Sequence, residues 1–332
     1  PDEVCSHFKS IRLKNVSGPI AFSGTPSFCI HEVKRLWPTE SSAVWERSKT
    51  VSKAESKTRT VFADAQAAIA DALQKQRQYT LEQKVRAVQL HTSYVGPPEV
   101  YKHDWADLNA SSIVEVWEEL LLEKETFDRS RLYFSKSDWD MAAHTINAYY
   151  WPYANAVFVT PAISRWMVEG ASDAAAVGRL GFLLGHELGH AVSSNIDEEA
   201  DIGLRAQYNA GRLCMIQEFG VHGRTVEEDM ADRIGFGVVG VFADGLGDAV
   251  TGLCPNDQGC VLATEAHVAF LAAAQCFCST EDAEYDESDT HSPDMIRLEH
   301  ALKALESARK AWFCTKAPTV PKCNVVGVPG QH

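Results

Sequence analysis

The residues with the clearest chemical potential are two histidines and a glutamate in the run His186-Glu187-Leu188-Gly189-His190. Histidines four residues apart on a helix project from one face about one turn apart, so both imidazoles can bind one metal ion. Glu187 is rotated by about 100° from His186, which places its carboxylate to take a proton from a metal-bound water. Chance is the alternative, because unrelated chains of this length contain the pattern roughly once in a hundred.

A catalytic zinc site needs three protein ligands and one open position, and a second predicted helix offers the third ligand. Glu228 and Asp232 lie four residues apart, so both carboxylates face the same way. Glu228 suits the ligand, whereas Asp232 suits a position behind it, where it would accept the free N–H of a ligand histidine. Thr225 and Glu228 also match a capping box, a structural alternative that the two histidines outweigh.

The helix that carries the histidines is predicted over about residues 172–192, a stretch with few charges. Gly181, Gly185 and Gly189 fall every fourth residue and hence on one face, where another element can approach closely. Such a helix is expected to be buried. Because burying three ionisable groups without partners costs several kcal/mol, a buried position argues against a chance motif.

The remaining patterns predict a mainly α chain with a small β-sheet. Two helices are expected over residues 58–94, and Thr80 with Gln83 would form a capping box at the start of the second. One strand is expected over residues 154–160, which are rich in β-branched and aromatic types and are followed by Pro161. Further helices are predicted from Ser112 and near residues 226–242, 262–277 and 293–313.

The overall composition excludes two classes of interaction. The 332 residues are 45% hydrophobic, enough for a large core, and carry a formal net charge of −14. An acidic chain without clustered Lys and Arg is not expected to bind nucleic acid. No apolar run approaches the ~18 residues that span a bilayer, so no transmembrane helix is expected, and any targeting segment was removed or lies upstream of Pro1.

Nine cysteines and the glycosylation sequons at Asn15 and Asn109 indicate an oxidising, secretory environment. We therefore expect a glycoprotein that is secreted or lies on the luminal side of the secretory pathway. Cys254 and Cys260 are close enough in sequence to pair locally. Since nine is odd, one thiol is free or pairs with another chain.

Three motifs, in order along the chain, resemble those of the neprilysin-like zinc endopeptidases. The first is Asn-Ala-Tyr-Tyr at 147–150, ahead of the predicted strand. The second combines the helix at 185–190 with the acidic segment at 228–232, and the third is His-Ser-Pro at 291–293 followed by Arg297. Any one could be accidental, whereas three in order at similar spacing are highly specific. A weaker likeness extends over most of the chain.

The resemblance implies a thermolysin-like zincin (gluzincin) catalytic domain that binds one Zn2+ and cuts short peptides on the amino side of an apolar residue. Asn147 and the Ala148 backbone would hold the substrate strand by hydrogen bonds. His291 would stabilise the oxyanion, and Arg297 would bind the carbonyl just after the cut. A Ser-Pro pair after His291 also fits a helix start, and this structural interpretation can hold together with the functional one.

The sequence departs from the family pattern in places that bear on activity. The family usually has an aspartate three residues after the second histidine, but Ser193 stands there, so His190 is expected to be held less firmly. The usual Gln-Val-Trp-Cys near the specificity pocket is Gln-Cys-Phe-Cys at 275–278, which keeps an aromatic residue. Most of the family's large N-terminal region, including much of the lid that limits substrate size, has no counterpart, so an open cleft is expected.

The same comparison pairs Cys214 with Cys323. It leaves the family partners of Cys29, Cys278 and Cys314 upstream of this chain. Besides peptide substrates, a separate upstream chain linked by a disulfide is therefore a candidate partner, and such a chain would restore the lid.

We divide the chain into an irregular, disulfide-tethered N-terminal segment at 1–52, a zinc metallopeptidase catalytic domain at 53–323 and a tail at 324–332. The expected function is that of a zinc-dependent endopeptidase. The alternative is a zinc-bearing binding or structural module on the same fold that hydrolyses nothing, because fold does not settle function. Glu187 and His291 favour the enzyme, whereas Ser193 keeps the alternative open.

Overall fold

The computed structural model describes residues 49–92, 141, 143–199, 202–220, 222–247, 250–253, 261–278, 289–303, 305–311 and 323–330. Four predicted features lie outside these residues: most of the segment 1–52, the helix from Ser112, both glycosylation sequons and the Cys254–Cys260 pair.

The described residues form mainly helices, with two small sheets. In chain order the elements are α1 (Lys49–Lys75), α2 (Tyr79–Arg86), β1 (Gln89–His91), β2 (Ala148–Trp151), β3 (Ala156–Val159), α3 (Pro161–Val168), α4 (Asp173–Glu199), α5 (Ile202–Phe219), α6 (Val226–Gly245), β4 (Val250–Leu253), β5 (Val261–Thr264), α7 (Glu265–Ala274), α8 (Asp294–Lys303) and α9 (Glu306–Ala311). The predicted fold class, mainly α with a small sheet, is confirmed.

The larger sheet has the strand order β1-β3-β2, with β1 parallel and β2 antiparallel to β3. All of β3 is buried, as expected of a central strand with β-branched side chains. A strand is present within the predicted range 154–160 but is shorter, because Ala154 ends a one-turn 3₁₀-helix before it and Thr160 caps α3. The Thr160 side-chain oxygen accepts a hydrogen bond from Ile163 N at 3.4 Å, and Pro161 takes the first helical position, where its missing N–H is tolerated.

The helical pair predicted at 58–94 is present as α1 and α2, but α2 begins differently from the prediction. It starts at Tyr79 after Gln78, and no side chain caps it, so the predicted capping box of Thr80 and Gln83 is wrong. A tight turn explains the difference. Arg77 adopts a positive φ of 62°, and the next backbone N–H bonds back to the last turns of α1, so the chain reverses before it reaches Thr80.

Three other element boundaries depart from the sequence prediction. α1 begins at Lys49, so its first turn lies in the predicted irregular segment. The helix predicted over 262–277 begins at Glu265, because the preceding residues form β5. The helix predicted over 293–313 is two helices, and the buried Leu305 lies between them.

The core is built around α4 and α6, which pack closely along each other. A β-carbon on Gly185 would lie 2.9 Å from Gly235 Cα, and one on Gly189 would lie 2.9 Å from Ala231 Cα. No side chain fits at those distances, so the glycine face lets the two backbones approach. The predicted close contact along this face is confirmed, and it brings the histidine helix against the helix that begins at Val226.

The sequence analysis did not anticipate α5. Its buried positions are spaced four, three and four residues apart, as on one helix face, but exposed Ile202 and Leu213 interrupt the pattern. Cys214 on α5 forms a disulfide with Cys323, across a sequence separation of 109 residues. The pairing implied by the family resemblance is therefore confirmed. Within the described residues, no helix combines the length and apolar character needed to cross a lipid bilayer.

Candidate metal centre

Three potential ligand atoms converge between α4 and α6. His186 Nε2 lies 3.0 Å from His190 Nε2 and 3.2 Å from Glu228 Oε2, and His190 Nε2 lies 3.3 Å from the same oxygen. Zinc bonds of about 2.0–2.1 Å in a tetrahedron separate neighbouring ligand atoms by about 3.3 Å. The three separations therefore fit one face of such a tetrahedron, and in the described part of the chain this group could hold a metal ion.

The chemistry of these donors also suits a cation. His186 Nδ1 lies 2.8 Å from Asp232 Oδ1, so the neutral ring carries its proton on Nδ1 and turns the Nε2 lone pair toward the other ligands. Glu228 Oε2 is buried and has no hydrogen-bond partner among the described residues. An unsatisfied buried acceptor costs about 1–3 kcal/mol, a cost that a cation between these atoms would remove.

The electric field of the site favours positive charge where the ligand atoms meet. Burial opposes protonation of His186, but the hydrogen bond to Asp232 and the neighbouring Glu228 carboxylate outweigh it and raise the pKa of His186 to about 10. Burial alone would raise the pKa of Glu228, yet the surrounding imidazoles hold it far below its usual range. Both shifts describe the chain without metal, and both are expected of residues grouped around a cation site.

Asp232 is fully buried on α6 and joins two of the predicted site residues. Beside its contact with His186, it accepts two hydrogen bonds from Arg297, at 2.6 Å from Nε and 2.8 Å from Nη2. Burial would raise the pKa of Asp232, but His186 and Arg297 lower it. An ionised carboxylate in this position can orient a ligand histidine, the role that the sequence predicts.

Glu187 lies on α4 in the same turn as His186 and is only 6% exposed. Within the described residues, its carboxylate forms neither a hydrogen bond nor an ion pair, although its charge helps to raise the pKa of His186. A carboxylate that is buried beside the ligand atoms and has no other partner is free to accept a proton.

His291 reaches the ligand group from the segment before α8. Its Nε2 lies 3.3 Å from Glu228 Oε2, and its Nδ1 lies 2.8 Å from Asp289 Oδ1. The same Asp289 oxygen accepts from the His291 backbone N–H at 2.9 Å. Sequence analysis did not single out Asp289, although an aspartate two residues before a histidine is a recognisable local signal. The carboxylate fixes the ring so that Nε2 faces the site.

Asn147 and Ala148 lie at the start of the edge strand β2. Ala148 is buried and pairs with Val159, whereas Asn147 is exposed and its Oδ1 accepts a hydrogen bond from Ala148 N at 2.8 Å. Because β2 contacts α4, Ala148 lies on the strand next to the histidine helix, and Asn147 directly precedes that strand. Their part in substrate binding stays a prediction.

Two alternatives raised by the sequence concern residues at the edge of the site. Thr225 precedes α6 but makes no capping hydrogen bond, and Glu228 faces the imidazoles, so the capping-box interpretation is wrong. Ser193 Oγ donates to the backbone carbonyl of His190 at 3.1 Å and not to its ring. Among the described residues, no carboxylate lies behind the His190 ring as Asp232 lies behind the first histidine.

An aromatic cluster of Phe182, Phe236 and Phe277 lies next to the ligand group. The Phe182 ring is 4.8 Å from Phe236, 5.0 Å from Phe277 and 6.0 Å from His186, measured between ring centres. Phe277 also lies under the Arg297 guanidinium at 5.1 Å, a cation–π contact. The aromatic residue that the sequence predicts near the specificity pocket, Phe277, thus packs against Phe182, which lies next to the first histidine.

Solved structures that include a zinc metalloprotease share this fold. The chain is similar to zinc metalloprotease Zmp1 of Mycobacterium tuberculosis, with a TM-score of 0.67 and 18% identity over 90% of this chain and 50% of that one. It is also similar to PepO of Lactobacillus rhamnosis, with a TM-score of 0.58 and 14% identity over 92% of this chain and 51% of that one. At these identities the likeness is one of fold.

Curated relatives agree with the structural comparison. The chain is 27% identical over 136 residues to proteins named neutral endopeptidase from two subspecies of Lactococcus lactis, cremoris and lactis. The match spans 38% of this chain and 21% of each relative. No protein-family model matches the sequence. The predicted resemblance to the neprilysin-like zinc metalloproteases is confirmed by these relatives and structures.

Proposed function

We propose that this chain is the catalytic part of a zinc-dependent endopeptidase in which His186, His190 and Glu228 hold the zinc. The observation that carries the proposal is the convergence of their three ligand atoms, 3.0–3.3 Å apart, next to a buried glutamate. When bound, zinc would supply a Lewis acid that polarises a peptide carbonyl and makes water more acidic. Relatives named as a zinc metalloprotease and a neutral endopeptidase support this assignment.

Glu187 is the general base of the proposed reaction. It would take a proton from the attacking water and pass it to the nitrogen of the leaving amine. Its burial beside His186 and its lack of another partner among the described residues support this role. A carboxylate already committed to an ion pair would be a weaker base.

Asp232 and Arg297 are proposed to orient the ligand His186 and the substrate, respectively. Asp232 holds His186 in the tautomer that turns Nε2 toward the zinc. Arg297 gives two of its five N–H groups to Asp232. Its other N–H groups can bind a substrate carbonyl, which is the role we assign to it.

His291 is the proposed oxyanion donor. The Asp289 carboxylate next to Nδ1 favours the doubly protonated ring, and in that form His291 would donate its Nε2–H to the negative oxygen that develops during attack. The 3.3 Å contact with Glu228 supports this role because it keeps Nε2 next to the zinc ligands. Such a donor acts mainly in the transition state and hence on kcat.

The proposed substrate is a peptide in extended form that binds along the edge strand β2. Asn147 and the Ala148 backbone would hydrogen-bond to its main chain, as in β-strand addition. The aromatic cluster around Phe277 supports a preference for an apolar residue after the cut, because it lies beside His186 and under Arg297. The alternative of a zinc-bearing module without hydrolysis makes no use of these features.

The test measures zinc content and hydrolysis of a mixed peptide library for the wild-type chain and Glu187→Gln. We expect one zinc per chain in both, and a loss of about 10²–10⁴-fold in turnover in the variant, because an amide cannot accept the proton. Glu218→Gln, an exposed change on α5, is the matched control and should keep full activity. A chelator should abolish hydrolysis in the wild type.

Each outcome separates the candidate functions. Equal turnover in Glu187→Gln would remove Glu187 as the base. Zinc binding without cleavage of any library peptide by the wild type would support the non-hydrolytic module. Absence of a bound transition metal would rule out both the zinc endopeptidase and the non-hydrolytic zinc module.

A further inference from the structure

A chain of buried polar groups lies directly behind His291 and takes no part in the chemistry proposed above. Thr225 Oγ1 lies 2.7 Å from Ser292 Oγ, and Ser292 Oγ donates to Asp229 Oδ2 at 2.7 Å. Ser292 gives its one hydroxyl proton to Asp229, so Thr225 is the donor of the first bond, and it shares its proton with the His222 carbonyl oxygen 3.2 Å away. All three residues are buried, and Asp229 is only 1% exposed.

Among the described residues, Ser292 is the only donor of a hydrogen bond to the Asp229 carboxylate. Asp229 Oδ1 has no hydrogen-bond partner there, and the nearest nitrogen of His300 is 3.8 Å away. A hydrogen bond to a buried carboxylate is stronger than one between neutral groups, and its loss leaves a costly unpaired acceptor. This contact is therefore expected to be firmly held.

The contact links the two elements that carry the catalytic groups. Asp229 is next to the ligand Glu228 on α6, and Ser292 is next to His291. Together with the His291–Glu228 and Arg297–Asp232 contacts, it ties the segment 289–297 to successive positions along one stretch of α6. Because these contacts involve neighbouring positions of α6, together they fix where the segment lies along the axis of that helix.

Asp289 alone cannot fix the position of this segment along α6. It is exposed and lies in the same segment as His291, so it orients the imidazole relative to its own backbone. A link to α6 is needed to place that backbone relative to Glu228. The buried bond between Ser292 and Asp229 supplies this link from the residue directly after His291.

We infer that Ser292 and Asp229 are positioning residues that hold the His291 backbone at the level of Glu228 and so keep His291 Nε2 at the reacting centre. The inference rests on the function proposed for His291. A displacement of about 1 Å at a reacting group can cost on the order of 10²-fold in rate. The loss of this link is therefore expected to act on turnover through His291 and not through the zinc ligands.

The test is a double-mutant cycle with Ser292→Ala, His291→Ala and the combined variant, assayed for zinc content, kcat and KM. Ser292→Ala should keep one zinc and lower kcat by about 10–10²-fold with little change in KM. In the His291→Ala background it should lower kcat no further, because its effect passes through the missing ring. A merely structural role would lower activity equally in both backgrounds.

Two further variants make the cycle specific. Asp229→Asn keeps an oxygen that accepts from Ser292 and should retain kcat within about threefold of wild type, whereas Asp229→Ala should match Ser292→Ala. Ser164→Ala is the matched control, because Ser164 is a buried serine on α3 whose hydroxyl has no partner among the described residues. Its kcat should equal that of the wild type.

Unchanged kcat in Ser292→Ala, or an equal fall in both backgrounds, would overturn the inference. If the wild type and Ser164→Ala hydrolyse no peptide, the proposed function fails separately, and crystal structures then decide the positioning role. In Ser292→Ala crystals with zinc, the His291 Nε2 to Glu228 Oε2 separation should exceed the present 3.3 Å by about 1 Å. An unchanged separation would overturn the inference even without an activity assay.

Discussion

A β-carbon added to Gly185 would lie 2.9 Å from the Cα atom of Gly235. Gly185 directly precedes His186, so this close approach of α4 to α6 lies beside the ligand group. The obstacle on the other side is backbone, which cannot rotate away as a side chain can. The spacing of the proposed zinc ligands thus depends on the absence of a side chain at this point.

The first prediction is that Gly185→Ala separates α4 from α6. We expect the free energy of unfolding to fall by about 1–3 kcal/mol, as for overpacking in a core, and zinc affinity to weaken. Chemical denaturation and zinc titration against a competing chelator measure these effects. Gly245→Ala on α6 meets open space and should be neutral in both assays. Normal zinc affinity in Gly185→Ala would show that helix separation does not set the ligand spacing.

The second prediction concerns Asp232. Asp232→Asn should lower zinc affinity by about 10–100-fold, because the amide orients His186 less well and leaves Arg297 without a charged partner. Competition with a chelator of known affinity gives the value. Asp244→Asn, an exposed change on the same helix, is the control. Equal zinc affinity in Asp232→Asn and wild type would contradict the orienting role.

The third prediction concerns His190, which has no carboxylate behind its ring among the described residues. Ser193→Asp places a carboxylate one helical turn after His190, where it can accept from the ring nitrogen that faces away from the zinc. We expect zinc affinity to rise by up to about tenfold. Ser194→Asp adds the same charge to the next position and should change affinity less, since it points about 100° away. An equal rise in both variants would indicate a general effect of charge.

The fourth prediction concerns the disulfide between Cys214 and Cys323. It closes a loop with a sequence separation of 109 residues, so its removal should lower the free energy of unfolding by about 2–5 kcal/mol. Denaturation of the chain with Cys214→Ser and Cys323→Ser measures the loss. Cys278→Ser, an exposed cysteine outside this bond, is the control. A double variant as stable as the wild type would mean that native strain offsets the gain from the bond.

Local spacing along one helix determined much of what could be predicted. The ligand pair His186 and His190 follows from a four-residue interval, and the close helix contact follows from glycines at the same interval. These inferences needed only the geometry of one element. The prediction of the Thr80 capping box failed because the backbone turn at Arg77, with its positive φ, started α2 earlier.

The tertiary structure alone decided which distant side chains meet. His186 and Asp232 are 46 residues apart, and Ser292 and Asp229 are 63 apart. The sequence predicts that Asp232 accepts from a ligand histidine but not from which one, and it gives no signal for the contact between Ser292 and Asp229. Each depends on how α6 and the segment before α8 pack, which is set by the fit of whole surfaces. The sequence by itself determined the types of chemical group and their order on each helix. Packing determined that Glu228 is turned toward the imidazoles and away from its own cap, because a buried carboxylate is stable only where positive or donor groups surround it.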